Sequence, residues 1–200
     1  MQTKDRIARL QVRMEETGID MVAVGPTSNM AYLLGFSPHA DERLCTLFIS
    51  VHDVSMIVPS LNFEETAAHT TINLIPWKDS DGPQRTLQQI RAKYGMPGTL
   101  AVDGAMRADS LLHLENELTP ERLIPADDLI STLRMVKSKN EIEMLAHSAS
   151  QADRAMQAAI DACAPGVTEE EVAWATESAF RQDGAEEVCF TLIASGPNGA

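Results

Sequence analysis

Two helix-start signatures, Ser138-Lys139-Asn140-Glu141 and Thr168-Glu169-Glu170-Glu171, constrain this chain more than any other feature. In each, a hydroxyl residue stands three positions before a glutamate. The hydroxyl accepts from an orphan amide of the first helical turn while the glutamate reaches back to the cap's own N–H. After the first signature, Ile142, Leu145, Ala149, Ala152, Met156, Ala159 and Cys163 recur at three- and four-residue steps. One stripe of that helix is therefore apolar and is expected to face a core. Pro165-Gly166 stops it. The next helix opens with three carboxylates at the positive end of its dipole, which accounts for Glu169, Glu170 and Glu171 without a catalytic role. Asp183-Gly184 closes it. Residues 188–194 are a continuous apolar and β-branched run, too short for a buried helix and flanked by turn residues, which predicts a strand. The strand runs into a Gly196-Pro197-Asn198-Gly199 turn.

Upstream, helical and strand patterns alternate. Thr3 can cap a helix with Ile7, Leu10 and Met14 on its buried stripe, and Gly18 is placed to end it in a left-handed conformation. Strands are expected over 19–24, 44–50, 54–58, 72–77, 99–103 and 122–124, the second and third joined as a hairpin by Val51-His52-Asp53. Helices are expected between them: 28–34 with Ser28 or Asn29 as cap, a segment starting at Ser60 or Asn62 and running to about His69, 83–94, and 109–118. The alternation predicts an α/β fold with a mixed sheet and helices on both faces. This domain is expected to occupy 1–125, and 126–200 to form a second unit that begins with a short bridging helix and includes the two capped ones.

Net charge is −13, and neither sign forms a run longer than three, which argues against nucleic acid and against an anionic membrane surface. No apolar run approaches the roughly 18 residues of a membrane span, and the N-terminus reads as a charged helix rather than a signal peptide, so a cytoplasmic location is expected. Cys45, Cys163 and Cys189 each sit inside an apolar pattern and are expected to be buried free thiols. His52, His69, His113 and His147 stand apart from one another, without the spacing of a metal site.

Three stretches carry a resemblance. Leu133-Arg134-Met135-Val136-Lys137-Ser138-Lys139-Asn140-Glu141-Ile142, then Pro165-Gly166-Val167-Thr168-Glu169, then Phe190-Thr191-Leu192-Ile193-Ala194-Ser195-Gly196-Pro197-Asn198, resemble in order and spacing the opening of the pita-bread domain of Xaa-Pro dipeptidases, aminopeptidase P and creatinase, the M24 peptidase family. The N-terminal layout resembles the creatinase-type amino domain, so the likeness covers nearly the whole chain. It implies a homodimeric metallopeptidase that hydrolyses the amide bond before proline in a dipeptide or short peptide. Two divalent ions (Mn, Co, Zn or Fe) would serve it. The family's five metal ligands and a substrate-binding histidine lie beyond the Ser-Gly-Pro-Asn turn, so the resemblance implies that this chain is the first half of such an enzyme, with no catalytic or metal-ligating residue of its own and no activity alone.

The resemblance also implies roles for residues that are present. In several prolidases the loop after a segment like Tyr32-Leu33-Leu34-Gly35-Phe36 reaches across the dimer toward the other active site. On that likeness, His39 and Arg43 would bind a substrate carboxylate or shape the entrance. From the residues alone, that loop is a solvated one with an Asp41–Arg43 ion pair worth under about 1 kcal/mol. Phe190 resembles an aromatic that packs against the substrate's proline ring, and is otherwise a buried strand residue. Two other functions stay open: a creatinase- or ectoine-hydrolase-like C–N hydrolase that can dispense with metal, and a non-catalytic module that binds peptides or histones. So does a stand-alone dimerising module without activity.

Overall fold

The computed structural model describes residues 3–199, and these fall into two compact units that divide between Val136 and Lys137. The first unit is built on β1 (Met21–Val24), whose four residues are all buried. Successive strand side chains point to opposite faces, so Val22 and Val24 enter one core while Met21 and Ala23 enter another. On the first face lie α1 (Thr3–Thr17) with Ile7, Leu10 and Met14, α2 (Ser28–Leu34) with Met30 and Leu33, and α6 (Asp127–Met135) with Leu129, Ile130 and Leu133. On the second lie α4 (Gln84–Tyr94) with Leu87 and Ile90, and α5 (Ala108–Leu118) with Leu114 and Leu118. The result is a three-layer α/β unit, as the alternating patterns predict.

The other strands are β2 (Thr46–Ser50), β3 (Val54–Pro59), β4 (Asn73–Trp77), β5 (Thr99–Val102) and β6 (Arg122–Pro125), in the spatial order β4-β3-β2-β1-β5-β6. The hairpin pair β2–β3 and the pair β1–β2 are antiparallel, and the remaining three pairs are parallel, so the sheet is mixed. Both edge strands contain a proline, Pro76 in β4 and Pro125 in β6. A residue without an N–H is tolerated there because the outer side of an edge strand has no ladder to complete.

Two polar clusters tie the layers together. At the C-terminal end of β5 the buried Asp103 carboxylate accepts from the Thr27 hydroxyl, from Asn29 Nδ2 at 3.0 Å and from the Ala105 N–H at 3.1 Å. Thr27, rather than Ser28 or Asn29, is therefore the cap of α2: its hydroxyl accepts the Asn29 N–H at 3.1 Å while donating to Asp103. This is the point where the chain leaves β1 to one side and returns as β5 on the other, a place where open α/β sheets commonly bind ligands. Here the acid is already satisfied. At the opposite end of the strands, Lys93 Nζ meets Asp53 Oδ2 at 2.6 Å and donates to the buried Ser55 hydroxyl at 2.8 Å, which also pairs with the Tyr94 hydroxyl at 2.7 Å.

The first unit extends past the division expected at residue 125. α6 shares a core with α1 and α2, and its Tyr32–Leu133 hydrogen bond (3.1 Å, hydroxyl to carbonyl) closes the same layer. A helix that buries three large side chains in one core belongs to that core, whatever its place in sequence.

In the second unit both capping boxes form. Glu141 N–H donates to the Ser138 hydroxyl at 3.3 Å and Ser138 N–H to Glu141 Oε2 at 2.8 Å; the Thr168–Glu171 pair repeats this at 3.2 and 2.8 Å. They start α7 (Lys139–Ala162) and α8 (Glu169–Gln182), which pack on each other through Gln151, Ala155, Ala159, Val172 and Thr176. Of the expected apolar stripe on α7 only Ala159 is buried; Ile142, Leu145 and Met156 are more than half exposed. The stripe marks an apolar face, but α8 meets α7 on a neighbouring one. Residues 188–194 form no ladder among the described residues, because a strand exists only where a second strand takes its hydrogen bonds.

Replacing Asp103 by alanine strands the Asn29 and Ala105 donors and is expected to destabilise the chain by about 1–3 kcal/mol, read as a lower urea midpoint at unchanged slope. The ion pair of Asp53 and Lys93 gives a pH signature. Lys93 holds the Asp53 carboxyl below its usual range, so its stabilisation is present above about pH 4 and lost as pH falls through the lowered value. Asp53 raises Lys93, whose contribution is present at neutral pH and lost only as pH rises through that raised value. Asp53→Asn should lower Tm at pH 7, and the gap from wild type should narrow on acidification to about pH 3.

Candidate functional site

Gly35 ends α2 in the left-handed conformation (φ 77°), returns its N–H to the Ala31 carbonyl at 2.9 Å, and turns the chain into the loop over 36–45. Glycine reaches that φ without the Cβ clash other residues meet. Phe36 then stacks on His69 of α3 (Phe63–His69), with ring centroids 4.7 Å apart and planes 13° from parallel. Pro38 is buried, whereas His39 and Ala40 stand exposed. The loop is thus anchored at its base and leaves its histidine in solvent.

Arg43 brings the loop back. Asp41 accepts the Arg43 backbone N–H at 2.8 Å, an Asx-type turn, and its second oxygen takes Nη1 at 3.1 Å. Glu42 contacts the same Nη1 at 3.1 Å. Asp79 accepts from Nε and Nη2 at 3.0 Å each, the bidentate fork that suits a planar guanidinium. The hydrogen bonds that Arg43 donates, to Asp79 first and Asp41 second, with the charges of Asp79 and Glu42, raise the arginine's pKa above its ordinary value. Next to it, burial and then the Asp41 charge push the Cys45 thiol up to about 12, so it stays protonated at neutral pH. Cys45 is the buried thiol expected from sequence. Cys163 and Cys189 are exposed instead, because one follows the last turn of α7 and the other lies in the unpaired 188–194 segment.

Phe190 belongs to the second unit and is 82% exposed, not a buried strand residue, since no ladder forms to cover it. His39 and Arg43 therefore share one loop, and Phe190 stands on a separate unit. The turn that follows Phe190 is held by a residue that sequence reasoning assigned only to the helix dipole. Glu169, the first residue of α8, accepts the Ser195 N–H at 2.6 Å and the Ser195 hydroxyl at 2.9 Å on one oxygen, and Asn198 Nδ2 at 2.9 Å on the other. The signal was present as a glutamate just after a Pro-Gly-x-Thr stop-and-cap and a turn rich in donors, but nothing in either stretch says that they meet. Among the described residues no group of three or more His, Cys, Asp or Glu side chains is placed to share a metal ion. Nor, among the described residues, is any helix long and apolar enough to cross a membrane.

Comparison with known proteins gives this arrangement its context. The Creatinase/Prolidase N-terminal domain model matches residues 6–136 and the Metallopeptidase family M24 model matches residues 143–200. The Xaa-Pro dipeptidase of Pyrococcus furiosus is 28% identical over 198 residues, covering 98% of this chain and 54% of the relative. A prolidase from Thermococcus sibiricus has a similar solved structure, with a TM-score of 0.90 at 30% identity over 100% of this chain and 55% of that one. The dipeptidase PepE of Mycobacterium ulcerans gives 0.86 at 27% identity, over 98% and 54%. The chain spans about half the length of the curated relatives it matches. With one model covering the three-layer unit and the other the capped helices and the turn, in that order, the chain belongs to the creatinase and prolidase family.

Proposed function

We propose that this chain is the amino-terminal part of a cytoplasmic, homodimeric Xaa-Pro dipeptidase, which hydrolyses the amide bond preceding proline in dipeptides with the help of two divalent metal ions (Mn, Co, Zn or Fe). The observation that carries the reading is the order of the two family matches along one chain, together with full coverage by a prolidase fold at a TM-score of 0.90. The described residues offer no ligand set for such ions. They do not fit the metals, and the ligands belong to sequence joined to this chain in a longer polypeptide.

What these residues would contribute is binding and exclusion. The 36–45 loop rests on a rigid three-layer scaffold, the usual way a fold presents a specificity loop. Arg43 is fully charged and forked toward carboxylates, which is the chemistry a dipeptide's C-terminus requires. Its partner Asp79 is 64% exposed against 28% for Asp41, so Asp79 is the carboxylate that a substrate would displace while Asp41 keeps the side chain aimed. Phe190 presents its ring to solvent, free to pack on a pyrrolidine. The three-layer unit would limit substrate length and build the dimer.

The isolated chain is expected to show no turnover of Ala-Pro or Gly-Pro with added Mn in a proline-release assay; measurable hydrolysis overturns the assignment of catalysis to the joined sequence. In the longer polypeptide, Arg43→Met should raise KM for Ala-Pro by about tenfold, the worth of a charge-assisted contact. His39→Ala should lower kcat/KM by about two- to tenfold without changing Tm. Unchanged kcat/KM in both returns the loop to a solvated connection.

A further inference from the structure

Arg43 is held by carboxylates of two kinds. Asp41 and Glu42 are its neighbours in sequence and orient the side chain from within its own loop. Asp79 lies 36 positions further on, in the connection between β4 and α4, and takes the Nε and Nη2 donors at 3.0 Å each. The turn that presents Asp79 is itself built: the Asp81 and Gly82 N–H groups both donate to the Lys78 carbonyl, at 2.9 and 3.1 Å, and the Ser80 hydroxyl donates to Asp81 Oδ1 at 2.8 Å. Asp79 is therefore a fixed acceptor, and its fork with Arg43 joins two loops that are far apart in sequence.

One residue later the hold changes character. Leu44 and Trp77 are both buried in the second core, and the Trp77 indole N–H donates to the Leu44 carbonyl at 2.8 Å. Trp77 is the last residue of β4, two positions before Asp79, so one segment grips the loop twice, once through a buried neutral bond and once through an ion pair at the surface. At its other end the loop is set by the Phe36–His69 stack and by the buried Pro38. The two grips respond differently to solvent. Added salt screens a surface ion pair and leaves a buried neutral hydrogen bond almost untouched.

We propose that Arg43 and Asp79 form a salt-sensitive latch, which closes residues 39–43 onto the turn between β4 and α4 and releases them on a hinge that Trp77 fixes at Leu44. Both partners lie in the first unit, so the latch stands apart from the reading of the loop as a substrate contact. A surface ion pair is weak, and weakness suits a latch. It favours one arrangement over the other by a small factor, so a moderate change of ionic strength shifts the balance.

The test is hydrogen exchange of the amides of residues 40–43 in this chain, compared at low salt and at about 1 M NaCl, where charges are screened beyond about 3 Å. At low salt Asp79→Asn should exchange about two- to fivefold faster there than wild type, whereas Asp81→Asn, which removes the same charge from the same turn, should match wild type. At high salt the gap between Asp79→Asn and wild type should close. Wild-type exchange in Asp79→Asn at low salt, an equal increase in Asp81→Asn, or a gap that salt leaves unchanged each overturns the latch. Trp77→Phe, which removes the indole donor, should quicken exchange over 44–47, where Asp79→Asn keeps the wild-type rate. Unchanged exchange over 44–47 in Trp77→Phe overturns the hinge. Where Trp77→Phe fails to fold, Asp79→Asn decides alone: faster exchange that stops at Arg43 supports the hinge, and faster exchange that spreads into 44–47 overturns it.

Discussion

The first unit holds together because β1, β2 and β5 leave almost no side chain to water on either face. Apolar burial is worth roughly 25 cal/mol for each Å² removed from solvent, and a strand covered on both sides collects that gain twice along its length. The helices divide to supply it: α1, α2 and α6 cover one face, α4 and α5 the other. Two features follow. α6 is drawn back onto the first unit although it follows the last strand. The loop after α2 starts and ends on fixed elements, so its exposed histidine and its charged return are displayed by a scaffold that does not need them for stability.

The second unit is organised differently. Its helices are defined at their starts by local hydrogen bonds and against each other by small residues, Ala155 and Ala159, that let the backbones approach. Ile142, Met144, Leu145, Met156, Ile160 and Trp174 remain largely exposed. Capping is worth about 1 kcal/mol at a helix end, enough to fix where a helix begins but not which of its faces is covered. The segment after α8 illustrates the same limit, since its composition favours a strand although no second strand among the described residues takes its hydrogen bonds.

Charge in this protein mostly orients. Arg43 is engaged by Asp41, Glu42 and Asp79, Lys93 by Asp53, and Arg154 by Asp183, all at or near the surface, where a pair contributes little to stability. Their value lies in geometry. An arginine held by a less exposed and a more exposed carboxylate is fixed in direction, and a glutamate with both oxygens occupied ties down the Ser195–Asn198 turn.

The sequence by itself determined the elements and their ends: Ser138 with Glu141, Thr168 with Glu171, the left-handed glycines at 18 and 35, and the alternation that made an α/β sheet. These are legible because each is an interaction between residues a few positions apart. The three motifs also carried the family, since their order survives in the chain as spacing. Tertiary structure alone decided the rest. It chose Thr27 as cap because Asp103 holds it, put α6 with the first unit, left the α7 stripe and Phe190 uncovered, gave Arg43 its third carboxylate, and joined Glu169 to Ser195 and Asn198. Each of those depends on a contact between residues far apart in the chain, and neither partner's local sequence carries the identity of the other.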